Sequence, residues 1–500
     1  MFDDGTNLSP ELQGIADSIA DAARGGGLDF FTTIFQMVDY KQLNEIAAYG
    51  GFPTRYPHWR YAMDYERLSK GYTYGLSTIY EMVINTDPCY AYLLRANNLV
   101  YQKTVIAHVY AHCDFFKNNY WFSKTNRKML DQMANHASFV RRLIEDIGHD
   151  EVESFIDNCL SLENLIDIHA PFRPAPKPAE VSEAHRPKPV PKIKSKKYMD
   201  SYVNPKDFLD SQRKRMDDEA QRVKGFPDRP ERDVLKFLLD YAPLNGWQKR
   251  LLEVIRDESY YFAPQGQTKI MNEGWATYWH SQLMTKLAPL HESEIIDYCD
   301  HYAGVVFARP GQINPYKMGV QLFRFIEERW NRGRFGIEYS RCDDPRVRAQ
   351  WGKGENTGLG KSKIFEVRSI HNDVTFIDEF LDEDFCHEHK LFIYDFDKRT
   401  NKYVISSRDF REVKARFLQQ LTNFGQPVIS VVDGNFGNRG ELLLRHQHDG
   451  VDLHSDYATE TLKSLFRVWQ RPVHIETVLE NTAKRISFDG NKPTMEKTQP

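Results

Sequence analysis

Two pairs of residues at helical spacing hold the densest chemistry in this 500-residue chain. His108 and His112, in VIAHVYAHCDFF, are four apart, so on a helix both imidazoles stand on one face and two ring nitrogens can reach one metal ion. Glu273 and His280, in IMNEGWATYWH, lie two helical turns apart and share a face in the same way. If the two faces meet, they offer a divalent ion a set of nitrogen and oxygen donors that suits zinc best and admits iron or manganese. The pattern also has a plainer reading. With 17 histidines in the chain, a four-residue pair arises readily by chance, and helix histidines hydrogen-bonded in an aromatic-rich core look the same in sequence.

Other polar groups are weaker candidates. His136 and His301 sit in helical settings and could add a ligand or simply be hydrogen-bonded helix histidines. Asp114, Lys117, Asn118 and Asn119 read equally as the rim of a site or as a helix end. His446 and His448 alternate as on a strand, with His454, Asp449 and Asp452 nearby, and a solvated hairpin explains them as well as a metal does. GKGENTGLGK, residues 352–361, lacks the GxxxxGK[ST] ending and a preceding apolar strand, so it reads as a loop.

The elements that must position these residues are mostly helical. From Phe30 to about Ile168, and again from Asn204 through YKMGVQLFRFIEERWNRG, apolar residues recur every three or four positions. Between them HAPFRPAPKPAEVSEAHRPKPVPKIKSKK reads as a proline- and lysine-rich linker or surface arm. Beyond about Arg341 a hairpin, a helix, two strands, a helix and closing strands suggest helices against an antiparallel sheet. The expected organisation is a flexible N-terminus over 1–29, a helical body split into 30–170 and 201–340 by the arm at 171–200, and an α+β C-terminal domain over 341–500. Since the proposed ligands lie on both sides of the arm, it should not separate two independent domains.

Composition bounds the function. Apolar residues make up 41% and aromatics 13%, enough for packed cores. A formal net charge of −4, with both signs mixed along the chain, gives no basic field for nucleic acid. The six cysteines are scattered without a CxxC pair, which suits a reducing compartment. No stretch approaches the roughly 18 apolar residues of a membrane span, and the acidic first residues do not read as a secretory signal. A cytoplasmic location follows as the expectation.

Two resemblances sharpen the picture. Asn272-Glu273-Gly274-Trp275-Ala276 is similar to the NEG-aromatic-Ala segment of gluzincin aminopeptidases, whose glutamate is the third zinc ligand. The resemblance assigns that role to Glu273 and implies a zincin-like body in a mainly α chain. In those peptidases a glutamate follows the first histidine as general base; here Val109 stands there, so a base must come from elsewhere, with Glu81 and Glu258 as candidates. The third ligand also follows the histidine pair closely in them, whereas here a long stretch and the arm intervene.

Taken together, GGFPTRYPHWRYAMDYERLSKGYTYGLSTIYEMVINTDP, HVYAHCDFFKNN, MANHASFVRR, YFAPQGQTKIMNEGWATYWH, HYAGVV, NPYKMGVQLFRFIEERW, DGVDLHSDYATETL and RPVHIET resemble the stage V sporulation protein R (SpoVR) family over nearly the whole chain. The resemblance implies a cytosolic bacterial protein linked to spore cortex formation, or to stress and stationary phase in bacteria that form no spores. Its implied partners are a PrkA-type serine protein kinase and a YeaH/YhbH-type protein. Two functional classes remain open: a metal-dependent, hydrolase-like protein acting on peptides or amides, and a non-enzymatic scaffold or regulatory partner of the kinase.

Overall fold

In the computed structural model, which describes residues 7–73, 81–174, 204–223, 226–287, 290–308, 312–352, 354 and 356–498, the chain divides into two compact units. One comprises Met1–Val152 with Tyr260–Gln426, the other Glu153–Ser259 with Pro427–Pro500.

The first unit is mainly helical. Its first element, α1 (Pro10–Gly25), starts where Ser9 accepts the amide of Leu12 and proline occupies the first turn, as helix N-termini favour. Leu12, Ala16, Ile19, Ala20 and Ala23 form one apolar stripe and are buried in the core. The expectation of a flexible 1–29 is therefore corrected, because small alanines pack this stripe closely and hide its hydrophobic character. A second correction concerns 30–98. Strands β1 (Thr33–Val38), β2 (Glu81–Ile84) and β3 (Cys89–Leu94) form a three-stranded sheet of order β1-β3-β2, where helix was expected. Phe35 pairs with Ala91 in parallel and Glu81 with Leu93 antiparallel. Runs of four to six apolar residues on the page look alike as buried strand or buried helix, since periodicity cannot separate them over that length.

Helix α2 (Leu99–Asn118), capped by Asn98, follows the sheet and is buried on nearly all sides. A helix apolar all round belongs at the centre of a unit. It packs against α3 (Lys269–Gln282), and α4 (Ile295–Val305) and α5 (Pro315–Asn331) complete the surroundings. The approach of α3 to α5 depends on two glycines: a Cβ on Gly274 would lie 2.4 Å from Gly319 Cα, and one on Gly319 only 2.1 Å from the Ile270 carbonyl oxygen. Two buried carboxylates fix the register of α3. Asp373, at the start of α7 (Asp373–Phe380), accepts the free first-turn amides of Ile270 and Met271 at 2.8 and 2.9 Å. Asp114 of α2 accepts Trp275 Nε1 at 2.9 Å and faces Arg368 of α6 (Leu359–Ile370) at 3.4 Å.

The boundary expected at 341 also moves. Helices α6, α7 and α8 (Phe410–Leu421) contribute Ile364, Val367, Phe376, Phe380 and Val413 to the core of the helical unit, which runs on to Gln426. The hairpin β4 (Ile393–Asp397) and β5 (Lys402–Ser407) forms as expected.

The second unit holds a five-stranded sheet of order β10-β9-β8-β7-β6, from β6 (Val428–Phe436), β7 (Glu441–Gln447), β8 (Val473–Leu479), β9 (Thr482–Phe488) and β10 (Pro493–Lys497). It is not purely antiparallel: β7 and β8 run parallel, with α9 (Ser455–Trp469) in the connection that a parallel pair requires. Helices at 206–223, 234–241 and most of 246–267 belong to this unit rather than to a second half of the helical body. Most of the proline-rich arm, from 175 to 203, lies outside the described residues. Among the described residues no helix is long and apolar enough to cross a membrane.

Candidate metal centre

α2 carries His108 and His112 on one face, and α3 brings Glu273 against them from about 160 residues away. The Nε2 atom of each imidazole lies 3.5 Å from the same Glu273 Oε2, and the three donor atoms fall within 4.8 Å of one another. All three side chains are buried. Among the described residues this is the only group of three or more histidine, cysteine or carboxylate donors so gathered.

A separation of 3.5 Å is too long for a good hydrogen bond, and Glu273 Oε2 has no hydrogen-bond partner although it is shielded from water. A buried carboxylate oxygen left this way costs free energy. The same separation is close to the spacing of about 3.3–3.6 Å between neighbouring ligand atoms around tetrahedral zinc. Two imidazole nitrogens and one carboxylate oxygen thus fit a divalent ion by donor type, burial and spacing.

The outer nitrogens of both rings are held. His108 Nδ1 lies 3.0 Å from His280 Nδ1, and His112 Nδ1 lies 2.9 Å from Asn272 Oδ1. Such partners fix the orientation and tautomer of ligating histidines. His280, expected as a ligand or a second-layer partner, meets His108 on the nitrogen facing away from Glu273, so its place is the orienting one. Glu273 Oε1 takes Lys269 Nζ at 2.6 Å, and that lysine is 57% exposed, which brings the centre within one side chain of the surface.

Electrostatics follow from this crowding. Burial pushes the His108 imidazole down to about 4, and the neighbouring His112 adds to the fall. For His112 burial acts downward, but Glu273, Asn272 and Glu81 outweigh it and raise its pKa. Glu273 is held well below the usual carboxylate range, because the two histidines and Lys269 overcome the cost of burial. Burial pushes Glu81 up to about 7, with His112 opposing and Glu273 assisting. Burial, then the charges of Glu273 and Glu81, also pushes the phenol of Tyr316 upward; its ring stacks on His108 with centroids 6.2 Å apart.

The structure thus brings together His108, His112, Glu273 and His280, with Glu81 close enough to feel two of them. Glu258 is buried, on the helix at 246–267, and is not among the three gathered donors. Val109 is fully buried in the core and offers no acid–base group there. His136 is buried outside the three-donor group; His301 meets Tyr101 at a tilt with ring centroids 4.5 Å apart, also outside that group but near enough to His108 and His280 to help lower both. Asp114 is a helix-to-helix tie rather than part of a rim. Asn272, Lys269 and Tyr316 were missed. Asn272 and Lys269 had a local signal, one residue and one turn before Glu273; Tyr316 had none, since the Gly274–Gly319 crossing alone brings it there.

Comparison with known proteins covers most of the chain. The uncharacterized protein YcgB of Escherichia coli (strain K12) is 29% identical over 476 residues, covering 90% of this chain and 88% of its own. No solved structure matches. The SpoVR like protein family matches residues 7–426, which take in the helical unit with its metal-ligand candidates and the 153–259 segment of the second unit, and the SpoVR-like C-terminal domain matches residues 427–480. With both parts matched in order, the chain belongs to the SpoVR family.

Proposed function

We propose that the helical unit is a metal-dependent, hydrolase-like centre in which His108, His112 and Glu273 hold a divalent ion, zinc before iron or manganese, and in which peptides or amides are the substrate class. The observation that carries the reading is Glu273 Oε2, buried, without a hydrogen-bond partner and equidistant from two imidazole nitrogens. When bound, such an ion polarises a carbonyl oxygen and acidifies water. Glu81 supplies the proton acceptor that Val109 cannot: a half-buried carboxylate beside the cluster, its pKa pushed up to about 7, is suited to taking and returning a proton. His280 and Asn272 orient the two imidazoles. In this reading the helical body is zincin-like in its ligand set, and the protein works in the cytoplasm on sporulation, through spore cortex formation, or on stress physiology.

One observation favours a second reading. Lys269 already neutralises Glu273 across 2.6 Å, so the carboxylate has a counter-charge without any ion. A non-enzymatic scaffold or regulatory partner of a PrkA-type serine kinase, with a YeaH/YhbH-type protein, would need no more than that. Metal analysis of protein purified without an affinity tag separates the two. The hydrolase reading expects about one ion per chain, retained in Glu81→Gln; chains that carry no ion after growth in metal-supplemented medium would leave the scaffold reading.

A further inference from the structure

Behind the candidate metal centre, where α3 ends, the chain widens into a π-helical stretch at Leu283–Leu287. Short π segments are uncommon and recur at functional sites. Beside this one lies a cavity of about 440 Å³, entirely within the helical unit, lined by Ser281, Thr285 and Lys286 of the helix end, Tyr298 and Tyr302 of α4, and Arg324 of α5, among others. No carboxylate is among the lining residues.

Two cations without ion pairs face this space. Arg324 donates one guanidinium N–H to Ser281 Oγ at 3.1 Å and lies 6.0 Å from the Tyr302 ring centre, which holds the planar fork in place and leaves its other N–H groups for a ligand. Neither Arg324 nor Lys286 pairs with a carboxylate among the described residues. Lys286 in the last turn of a helix also complements the negative end of the dipole. Arg324, on another helix, has no such reason to be there. The Tyr298 side chain is 5% exposed and its hydroxyl has no partner, an unmet donor in the wall of the cavity.

We propose that this cavity binds the oxyanion group of a small molecule, a carboxylate or a phosphate, with Arg324 as the fork, Lys286 as the second charge and the Tyr298 hydroxyl as a further donor, while Ser281, whose own proton goes to the Tyr278 carbonyl oxygen, holds the fork. The site stands whether or not the centre holds a metal. It adjoins the centre through His280, whose ring meets Tyr298 and Tyr302 edge-on at 6.3 and 5.8 Å and whose Nδ1 holds His108.

The test is calorimetric titration of the full chain with inorganic phosphate and, separately, with acetate, in a buffer free of other oxyanions. Saturable binding of one of them is expected, and which one saturates identifies the source of the oxyanion. Arg324→Gln and Lys286→Gln should each weaken it about tenfold or more, the size of one lost charge-assisted contact, and Tyr298→Phe by a smaller factor. Arg324→Lys should restore part of the loss. Both cations reach solvent, so the variants are expected to melt with the wild type, which the same samples can show. Absence of saturable binding for both probes, or affinity unchanged in both Gln variants, overturns the proposal.

Discussion

In the C-terminal unit His474 gives both ring nitrogens to near neighbours, Ser487 Oγ at 2.8 Å and Glu441 Oε2 at 2.9 Å, and Arg439 pairs with the same glutamate. His446 meets Thr477 Oγ1 at 2.9 Å and His448 meets Asp452 at 2.8 Å. In the helical unit His108 and His112 satisfy only their Nδ1 atoms at such distances and turn Nε2 toward a carboxylate oxygen that is 3.5 Å from each. Both regions place histidines beside acids. On the sheet the contacts are closed; between the helices three donors face one another with a gap. Residue type therefore does not separate the two regions, and the distance between donor atoms does.

The comparison breaks most visibly on metal content. His108→Ala and Glu273→Gln should each lower metal affinity by at least about a hundredfold, because a three-donor set cannot lose one and close. His474→Ala should leave metal content at the wild-type level. Elemental analysis of the three untagged proteins reads this directly, and a chelator should lower the melting temperature of wild type and of His474→Ala but not of His108→Ala. Metal retained in both centre variants would erase the contrast between the regions.

A smaller effect tests whether the gap depends on how closely the helices approach. Gly319→Ala places a methyl against the Ile270 carbonyl and α3, where both sides are backbone and neither can rotate away. A stability loss at the upper end of overpacking, about 3 kcal/mol or more, is expected in denaturant titration, together with weakened metal retention. An unchanged midpoint would show that the crossing adjusts freely.

Trp275→Phe removes the hydrogen bond to Asp114, leaving that buried carboxylate to Arg368 and the Asp29 amide, and opens a small cavity where the larger indole stood. About 2–3 kcal/mol should be lost. Loss of bound metal greater than that loss of stability would sharpen the view that this tie sets the register of the two ligand helices. The smallest effect belongs to the closed region: His448→Ala removes a pair whose aspartate is well exposed, and thermal melting should not change measurably.

Much of the site was legible in sequence because the α-helix converts spacing into direction. Four residues between His108 and His112 put both rings on one face whatever surrounds them, and the NEGWA string marked Glu273. The hairpin and the strands after Pro427 were legible for the same local reason, alternation between turn residues. What misled were stretches whose local signal is degenerate: the alanine stripe of α1, the short strands β1 to β3, and the helices after Arg341, whose apolar faces fit either unit.

By itself the sequence determined the chemistry on each helix: two imidazoles on one face, a carboxylate and a histidine on another, and a valine where a base would stand. Only the tertiary structure decided that these faces meet, that His280 serves behind His108, that Glu81 is near, and that Tyr316 joins them. The reason is physical. Side-chain direction along a helix follows from 3.6 residues per turn, whereas the meeting of α2, α3 and α5 depends on contacts across long sequence separations: two glycines that let backbones touch, and Asp114 and Asp373 fixing the register of α3.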